Sequence, residues 1–488
     1  MKHDDMNDMK AILRFIGILL VAEGGLMGCC LVPALHFADG TAHPMAVCAA
    51  FTLAVGAMLW VSYAHHRRID DRRMAYLMVV LIWLSLTIFG SLPFLATAST
   101  FNPTWALFES MSGITTTGAT VFADVAALPA SVLLWRSMMQ WFGGFGIVLL
   151  VLALTPRLGI NKYALYTAEA SAADNGGRTT AKPSVTVRRM LVIYLILTVL
   201  FIVALRLAGM HWWDAVSLTF TNISSGGFGV ASDSIASCTP LQQYILAAAM
   251  LLSGVNFSLL YLIFTFRWRQ VGHKLDQFRF YIVLCLIAIA AVTAGLHFYS
   301  GIPMGDALRL ATVQSISSLT TTGTVAADTP LWPVPLTFLL LMLSLCGGMA
   351  GSTSGGLKVM RVLILIRNAR SIMGDRLHPN GVNPVRLNGS PVSSHIQANV
   401  MVIFMVYALT LMVGTMVLMV CGINATEAIG AAVGCLTGYG PGLGPSGGFG
   451  SYAAFTPAAL WVCSFLMLLG RLECMTVLVL LLPRFWRR

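Results

Sequence analysis

A chain of 488 residues that is 57% hydrophobic and only 10% charged is far from a soluble domain, where about 25% of residues carry charge. Its net charge of +11 has no basic soluble segment to sit on, which excludes a nucleic-acid partner and points to a lipid bilayer and its anionic headgroups. The ten cysteines are scattered, mostly through apolar runs, with neither metal-ligand spacing nor a disulfide framework.

Ten apolar runs are long enough to cross a bilayer as helices, at 11–35, 44–64, 74–97, 132–154, 190–207, 241–266, 280–298, 334–366, 400–421 and 457–482. The first follows a charged start without a small-residue cleavage site, so no cleavable signal peptide is expected. Every Lys and Arg except Arg136, Arg206, Arg309 and Arg471 falls in the start, in 65–73, 157–189, 267–279 and 358–386, or in the tail 484–488. Ten spans put all six segments on one face, and short basic loops stay in the cytoplasm. A multi-pass protein with both termini in the cytoplasm is the expectation.

The first two spans, within residues 1–70, stand apart as an N-terminal pair. After them a unit repeats: span, short helix, Gly/Thr loop, span. The loops read Glu109-Ser-Met-Ser-Gly-Ile-Thr-Thr-Thr-Gly-Ala-Thr120, Phe220-Thr-Asn-Ile-Ser-Ser-Gly-Gly-Phe-Gly229, Ser315-Ile-Ser-Ser-Leu-Thr-Thr-Thr-Gly-Thr324 and Gly434-Cys-Leu-Thr-Gly-Tyr-Gly-Pro-Gly442. Taken from Gly118 to Gly226, Gly323 and Gly440, the spacings are 108, 97 and 117 residues, as expected of a repeat. The units are 71–157, 158–270, 271–370 and 371–488, the third with a candidate gating loop.

Each short helix has a start signal. Asp214, Asp306 and Glu427 can cap or charge-match three of them, and Thr104 after Pro103 can do so in the first. Such helices are too short to span. They enter from outside and aim partly negative C-terminal ends inward, which favours a cation.

Non-helical backbone at membrane depth is tolerated only when buried in protein or lining water. Glycine lets successive carbonyls aim in one direction. Thr and Ser add hydroxyls without charge. Rings of neutral oxygens suit an alkali cation better than an anion or a carboxylate-seeking divalent ion. Asp124, Asp233 and Asp328 follow three of the loops by five to seven residues and are expected at the outer mouth, concentrating cations.

The eighth run is too long for one straight span, at about 1.5 Å per residue. Five of the ten residues from Gly347 to Gly356 are glycine, so a broken helix is expected there. Gly351-Ser-Thr-Ser-Gly-Gly356 has the look of a phosphate-binding loop, but Leu357 stands where its Lys should be. Arg471 lies well inside the last span, where charge is costly and marks function by default. The small residues of Gly143-Gly-Phe-Gly146 suit close helix packing. The ten histidines show no HExxH pair, and nothing else in the spans brings catalytic groups together, so an enzyme is not expected.

The four loops, the segment Cys346-Gly-Gly-Met-Ala-Gly-Ser-Thr-Ser-Gly-Gly-Leu-Lys358 and Gly470-Arg-Leu-Glu473 together resemble the TrkH/TrkG family of bacterial potassium-uptake proteins. That family shares a superfamily with KtrB proteins and fungal Trk transporters. The resemblance covers essentially the whole chain, including the N-terminal pair that KtrB proteins lack. It implies an all-α polytopic membrane protein with four pseudo-fourfold M1–P–M2 units around one pore, plus two additional N-terminal transmembrane helices. It implies a selectivity filter at Thr116, Thr117 and Gly118; Ser224, Ser225 and Gly226; Thr321, Thr322 and Gly323; and Gly438, Tyr439 and Gly440. A gate is implied at Gly347, Gly348, Gly351, Ser352, Thr353, Ser354, Gly355 and Gly356, with Arg471 as an electrostatic barrier beneath the filter. Potassium is then the transported ion, taken up across the bacterial inner membrane by a homodimer. A cytoplasmic TrkA-like nucleotide-binding regulatory subunit is implied too. This chain lacks a GxGxxG with a soluble strand–helix context, so any nucleotide would bind that partner. The fourth loop departs from the family, which more often has an Asn-rich sequence there, and the second carries two serines before its glycine. Channel-like flux and sodium- or proton-coupled symport, including the sodium-dependent KtrB type, share this filter chemistry and stay open. A scaffold subunit without transport is a further alternative.

Overall fold

The computed structural model describes residues 3–66, 71–97, 102–154, 183–266, 275–378 and 383–486. The expected cytoplasmic stretches 157–182 and 267–274 lie outside the described residues. Almost everything described is helical; a two-stranded pair, Arg386–Leu387 with Ser390–Pro391, stands on the connection into the fourth unit.

The N-terminal pair is His3–Cys29, continued by Leu31–His36, against Ala42–Ser62. These helices meet backbone to backbone. A Cβ on Gly17 would lie 2.6 Å from Trp60 N, and one on Gly56 would lie 2.8 Å from Val21 N. Small residues replace the hydrophobic effect as the means of association where lipid is the solvent.

The four units follow. The first has Arg72–Gly90 with Leu92–Thr97, the short helix Pro103–Ile114, and the 25-residue helix Ala130–Leu154. The second has Pro183–Leu207, the short helix Trp212–Ile223, and Pro240–Ser253 with Phe257–Phe264. Leu275–Ser300, the short helix Met304–Leu319, and Val334–Cys346 with Val359–Leu377 form the third. The fourth comprises Ser394–Val420, the short helix Ala425–Thr437, and Pro457–Arg471 with Met475–Leu481. Units one and four share an apolar core with the N-terminal pair, and units two and three share another.

Among the described residues six helices pass as single spans by length and composition, and eight if two bent pairs each count as one. Each of the ten apolar runs coincides with a helix or helix pair, but not all of these pass as spans and not all are straight. The sixth turns by 107° between Ser253 and Phe257, and the tenth by 115° between Arg471 and Met475. The sixth restarts on Asn256, whose side chain accepts the Leu259 N–H at 3.1 Å. The tenth breaks where Glu473 and Cys474 adopt left-handed backbone, φ 57° and 49°.

Short-helix starts also differ in detail from the sequence expectation. Asn102, not Thr104, caps the first, accepting from Thr104 N and Trp105 N. Asn424 caps the fourth, with Glu427 in its first turn. Asp214 and Asp306 occupy first turns without capping, so their role there is charge match.

Candidate functional site

The four short helices end in one shared backbone course. At their C-termini Thr115, Ser224 and Thr320 turn their hydroxyls back to donate to Met111 O (2.6 Å), Phe220 O (2.8 Å) and Ile316 O (2.8 Å). The next residue in each loop is left-handed: Thr116 (φ 56°), Ser225 (φ 56°), Thr321 (φ 52°) and Gly438 (φ 72°). The residue after donates its N–H five residues back, Thr117 to Ser112 O, Gly226 to Thr221 O, Thr322 to Ser317 O and Tyr439 to Gly434 O, at 2.7–3.0 Å. A left-handed glycine follows: Gly118, Gly227, Gly323 and Gly440.

This register corrects one expectation. In the second loop the equivalents of Thr116-Thr117-Gly118 are Ser225, Gly226 and Gly227, so the triplet Ser224, Ser225, Gly226 is one residue early. Ser224 closes the helix instead. Two adjacent glycines made both alignments equally plausible in the sequence.

In a trans peptide the carbonyl of one residue points opposite to the N–H of the next. The N–H groups of Thr117, Gly226, Thr322 and Tyr439 all face their helices, so the carbonyls of Thr116, Ser225, Thr321 and Gly438 face away from them. The loops then interlock in a ring. Gly118 lies against Gly226 O, Gly227 against Thr322 O, Gly323 against Tyr439 O, and Gly440 against Thr117 O. A Cβ on these glycines would come within 2.2, 1.9, 2.0 and 2.4 Å of those oxygens. The order runs first to second to third to fourth and back to first. All four glycines also line one open vestibule.

On the other side of the ring lies the broken helix of the third unit. Gly347 to Lys358 form an irregular segment, and its glycines pack on themselves. A Cβ on Gly347 would lie 2.2 Å from Gly355 O, one on Gly348 2.1 Å from Ser354 Oγ, and one on Gly356 2.9 Å from Gly347 Cα. Ser352 and Ser354 share a hydrogen bond of 2.6 Å. Lys358 donates to Ser354 O. Gly351 sits against Asn256, whose amide donates to Ala350 O.

The segment is bonded straight onto the loops. Gly355 N donates to Thr321 Oγ1 (2.6 Å), Gly356 N to Thr437 O (2.9 Å), and Thr353 Oγ1 to Ile223 O (3.1 Å) while also bonding Ser225 Oγ (2.9 Å). Arg471 completes the circle: it donates to Thr353 O at 3.2 Å and to Gly143 O of the first unit at 2.8 Å. Every unit is thus tied to this segment or to the arginine that holds it.

The profile of the TrkH family, described as a cation transport protein, matches residues 44–488. The chain belongs to the TrkH family. A Salmonella typhimurium relative, "Trk system potassium uptake protein TrkH", is 34% identical over 98% of this chain and 99% of its own length. The Escherichia coli "Trk system potassium uptake protein TrkG" is 30% identical over 85% of this chain and 86% of its own. The crystal structure of the potassium transporter TrkH from Vibrio parahaemolyticus superposes with a TM-score of 0.87 at 34% identity, covering 98% of this chain and 100% of that one.

Other expectations for this TrkH-family chain meet a mixed outcome. Glu473, two residues beyond Arg471, pairs with Arg361 at 2.5 Å, leaving Arg471 to the irregular segment. A Cβ on Gly143 would lie 2.0 Å from Ile114 O, so close helix packing is the role of that glycine. The three aspartates are not among the residues lining the vestibule; Ala123 and Val125 beside Asp124, and Ser232 and Ser234 beside Asp233, are. Asp124 accepts from Ser232 Oγ at 2.6 Å, tying the first unit to the second, and Asp233 accepts from Ser237 Oγ at 3.3 Å. Asp328 is packed against Gly448.

A charged residue does line the vestibule, and it is Arg136. Its guanidinium bonds Glu109 at 2.8 Å with both side chains at most 1% exposed. It also donates to Gly229 O (3.2 Å) and stacks 4.0 Å over the Phe228 ring. Glu109 in turn accepts from Val121 N and Thr120 Oγ1. The sequence did hold a signal, a second basic residue five positions inside an apolar run. Gln140 and Tyr452, which brace the second and fourth loops through Gly226 O and Gly440 O, gave none.

Proposed function

We propose that this chain is the transmembrane pore subunit of a Trk-type potassium-uptake system, with the four-loop ring as its selectivity filter. The observation that carries the reading is the closed ring of glycines, each seated on the next loop's carbonyl. Backbone so confined holds its oxygens at fixed separations, which is what replacing a cation's hydration shell demands. The filter residues are Thr116, Thr117 and Gly118; Ser225, Gly226 and Gly227; Thr321, Thr322 and Gly323; and Gly438, Tyr439 and Gly440.

The segment from Gly347 to Gly356 is the gate. Bonded to three loops and clamped by Arg471, it fits a closed state, and the guanidinium under the filter repels a departing cation. Opening requires the bonds from Gly356 to Thr437 and from Thr353 to Ser225 to break. The helix Val359–Leu377 leads from the gate toward the basic, cytoplasmic side, within reach of a TrkA-like regulator. That regulator, and not this chain, carries the nucleotide. The chain acts as a homodimer in the bacterial inner membrane, with both termini in the cytoplasm.

Purified protein in liposomes, with its regulator, is the test. A potassium gradient alone, without a sodium or pH gradient, is expected to drive potassium flux. Strict dependence on a second ion gradient would replace the channel-like reading with symport, and no potassium flux under any gradient would sink the uptake reading.

A further inference from the structure

The ring is braced unequally, and the second loop stands out. At the position before the ring glycine the other three loops carry a side chain held by hydrogen bonds to other side chains. Thr117 Oγ1 bonds Thr115 Oγ1 at 2.9 Å, and Thr322 Oγ1 bonds Thr320 Oγ1 at 2.7 Å. The Tyr439 hydroxyl accepts from Ser318 Oγ at 3.0 Å and Gln314 Nε2 at 3.2 Å. The second loop has Gly226 there and no side chain at all.

Gln140 fills the gap from a neighbouring unit. It is fully buried on the helix Ala130–Leu154. Its amide Nε2 donates to Gly226 O at 2.8 Å, and its Oε1 accepts from Phe228 N at 3.1 Å. The reverse amide orientation would set oxygen on oxygen and N–H on N–H, so the assignment is forced. A Cβ on Gly226 would lie 2.4 Å from Gln140 Cδ and 2.5 Å from its Oε1. The glutamine therefore occupies the volume of the missing side chain. Gly226 O is also the oxygen on which Gly118 of the first loop is seated.

We infer that Gln140 is a specificity-determining positioning residue: it clamps Gly226 and Phe228 and so sets the second loop's carbonyl in the ring. This rests on the ring being the filter.

The test is the ratio of potassium to sodium flux in liposomes, which does not depend on how much protein is folded. Gly118→Ser serves as the filter control. Gln140→Leu, which removes both hydrogen bonds, is expected to lower the ratio about fivefold. Gln140→Glu keeps an acceptor for Phe228 N and loses the donor to Gly226, and lowers it too. Gly226→Thr alone is crowded by Gln140 and loses preference, whereas Gln140→Gly with Gly226→Thr, which also removes the Gln140 Cβ that would lie 2.9 Å from the new one, regains at least half of the loss seen in Gln140→Gly. Gly226 is not in the left-handed region, so its backbone conformation admits a side chain once Gln140 is gone. A lowered ratio in Gly118→Ser with unchanged ratios in Gln140→Leu and Gln140→Glu overturns the role of Gln140 and leaves the filter standing. Unchanged ratios in all three overturn the filter itself. Should Gln140→Leu fail to insert, Gln140→Glu and the double variant decide by the same criteria.

Discussion

At Gly323 a methyl group has nowhere to go. The residue is left-handed, and a Cβ would lie 2.0 Å from Tyr439 O. Gly118 is in the same position toward Gly226 O, at 2.2 Å. Gly323→Ser or Gly118→Ser must push a neighbouring carbonyl aside, so potassium-over-sodium preference is expected to fall severalfold while transport persists. Equal tracer-flux ratios in wild type and both variants would show that these carbonyls do not select. Thr116, Ser225 and Thr321 are left-handed without being glycine, at a cost of about 1–2 kcal/mol each; such strain is held where geometry matters more than stability. Glu109 and Arg136 make a second residue-scale case. Glu109→Gln leaves a guanidinium buried without its counter-charge, and is expected to cost about 3–5 kcal/mol, seen as a lowered unfolding midpoint. Glu109→Gln with Arg136→Met should recover most of it; no recovery would mean the pair acts through something other than charge. The sequence made the Thr-Thr-Thr-Gly loops legible because their residue types are unusual between apolar runs. It hid the pair, because 27 residues and a whole loop separate Glu109 from Arg136.

Element by element, the sequence marks where helices are and not how they bend. A run of apolar residues reads as one span whether or not it turns midway, because periodicity carries no record of a left-handed residue. Asn256 was the available clue in the sixth run, a capping residue in the middle of an apolar stretch. In the tenth, the bend places Arg471 at the last turn of one helix and frees it to reach Thr353 and Gly143. Only the third unit announced its break, through the five glycines of Gly347–Gly356. That broken element is tied to its surroundings by few bonds, and Arg471 bridges it, through Thr353 O, to Gly143 O of the first unit. Arg471→Gln shortens the reach and removes the charge. Since a hydrogen bond to a charged group contributes about 1.5–3 kcal/mol, potassium flux without the regulator is expected to rise about tenfold or more. Flux unchanged from wild type would mean the gate is held elsewhere, with the Arg361–Glu473 pair the next place to look.

The whole molecule is one ring built by one chain. Gly440 seats on Thr117 O, so the last unit closes on the first, and no unit makes the ring alone. The repeat that makes this possible was legible in the spacing of the loops, while its exact register was not. The proposed orientation rests on charge, and it decides what the proposed gate can answer to. The Gly301–Pro303 connection leads into the short helix Met304–Leu319, and the helix Val359–Leu377, with Arg367, Arg370 and Arg376, follows the broken element. If basic segments stay in the cytoplasm, alkaline phosphatase fused after Gly301 is active, since it folds only outside the cytoplasm, and a fluorescent protein at the C-terminus glows inside the cell. The opposite pair of results would put the vestibule in the cytoplasm and the gate helix outside, where no cytoplasmic regulator could act on it. The same two fusions in a chain with Arg367, Arg370 and Arg376 changed to Gln should keep their readings, because five other basic segments still hold the orientation.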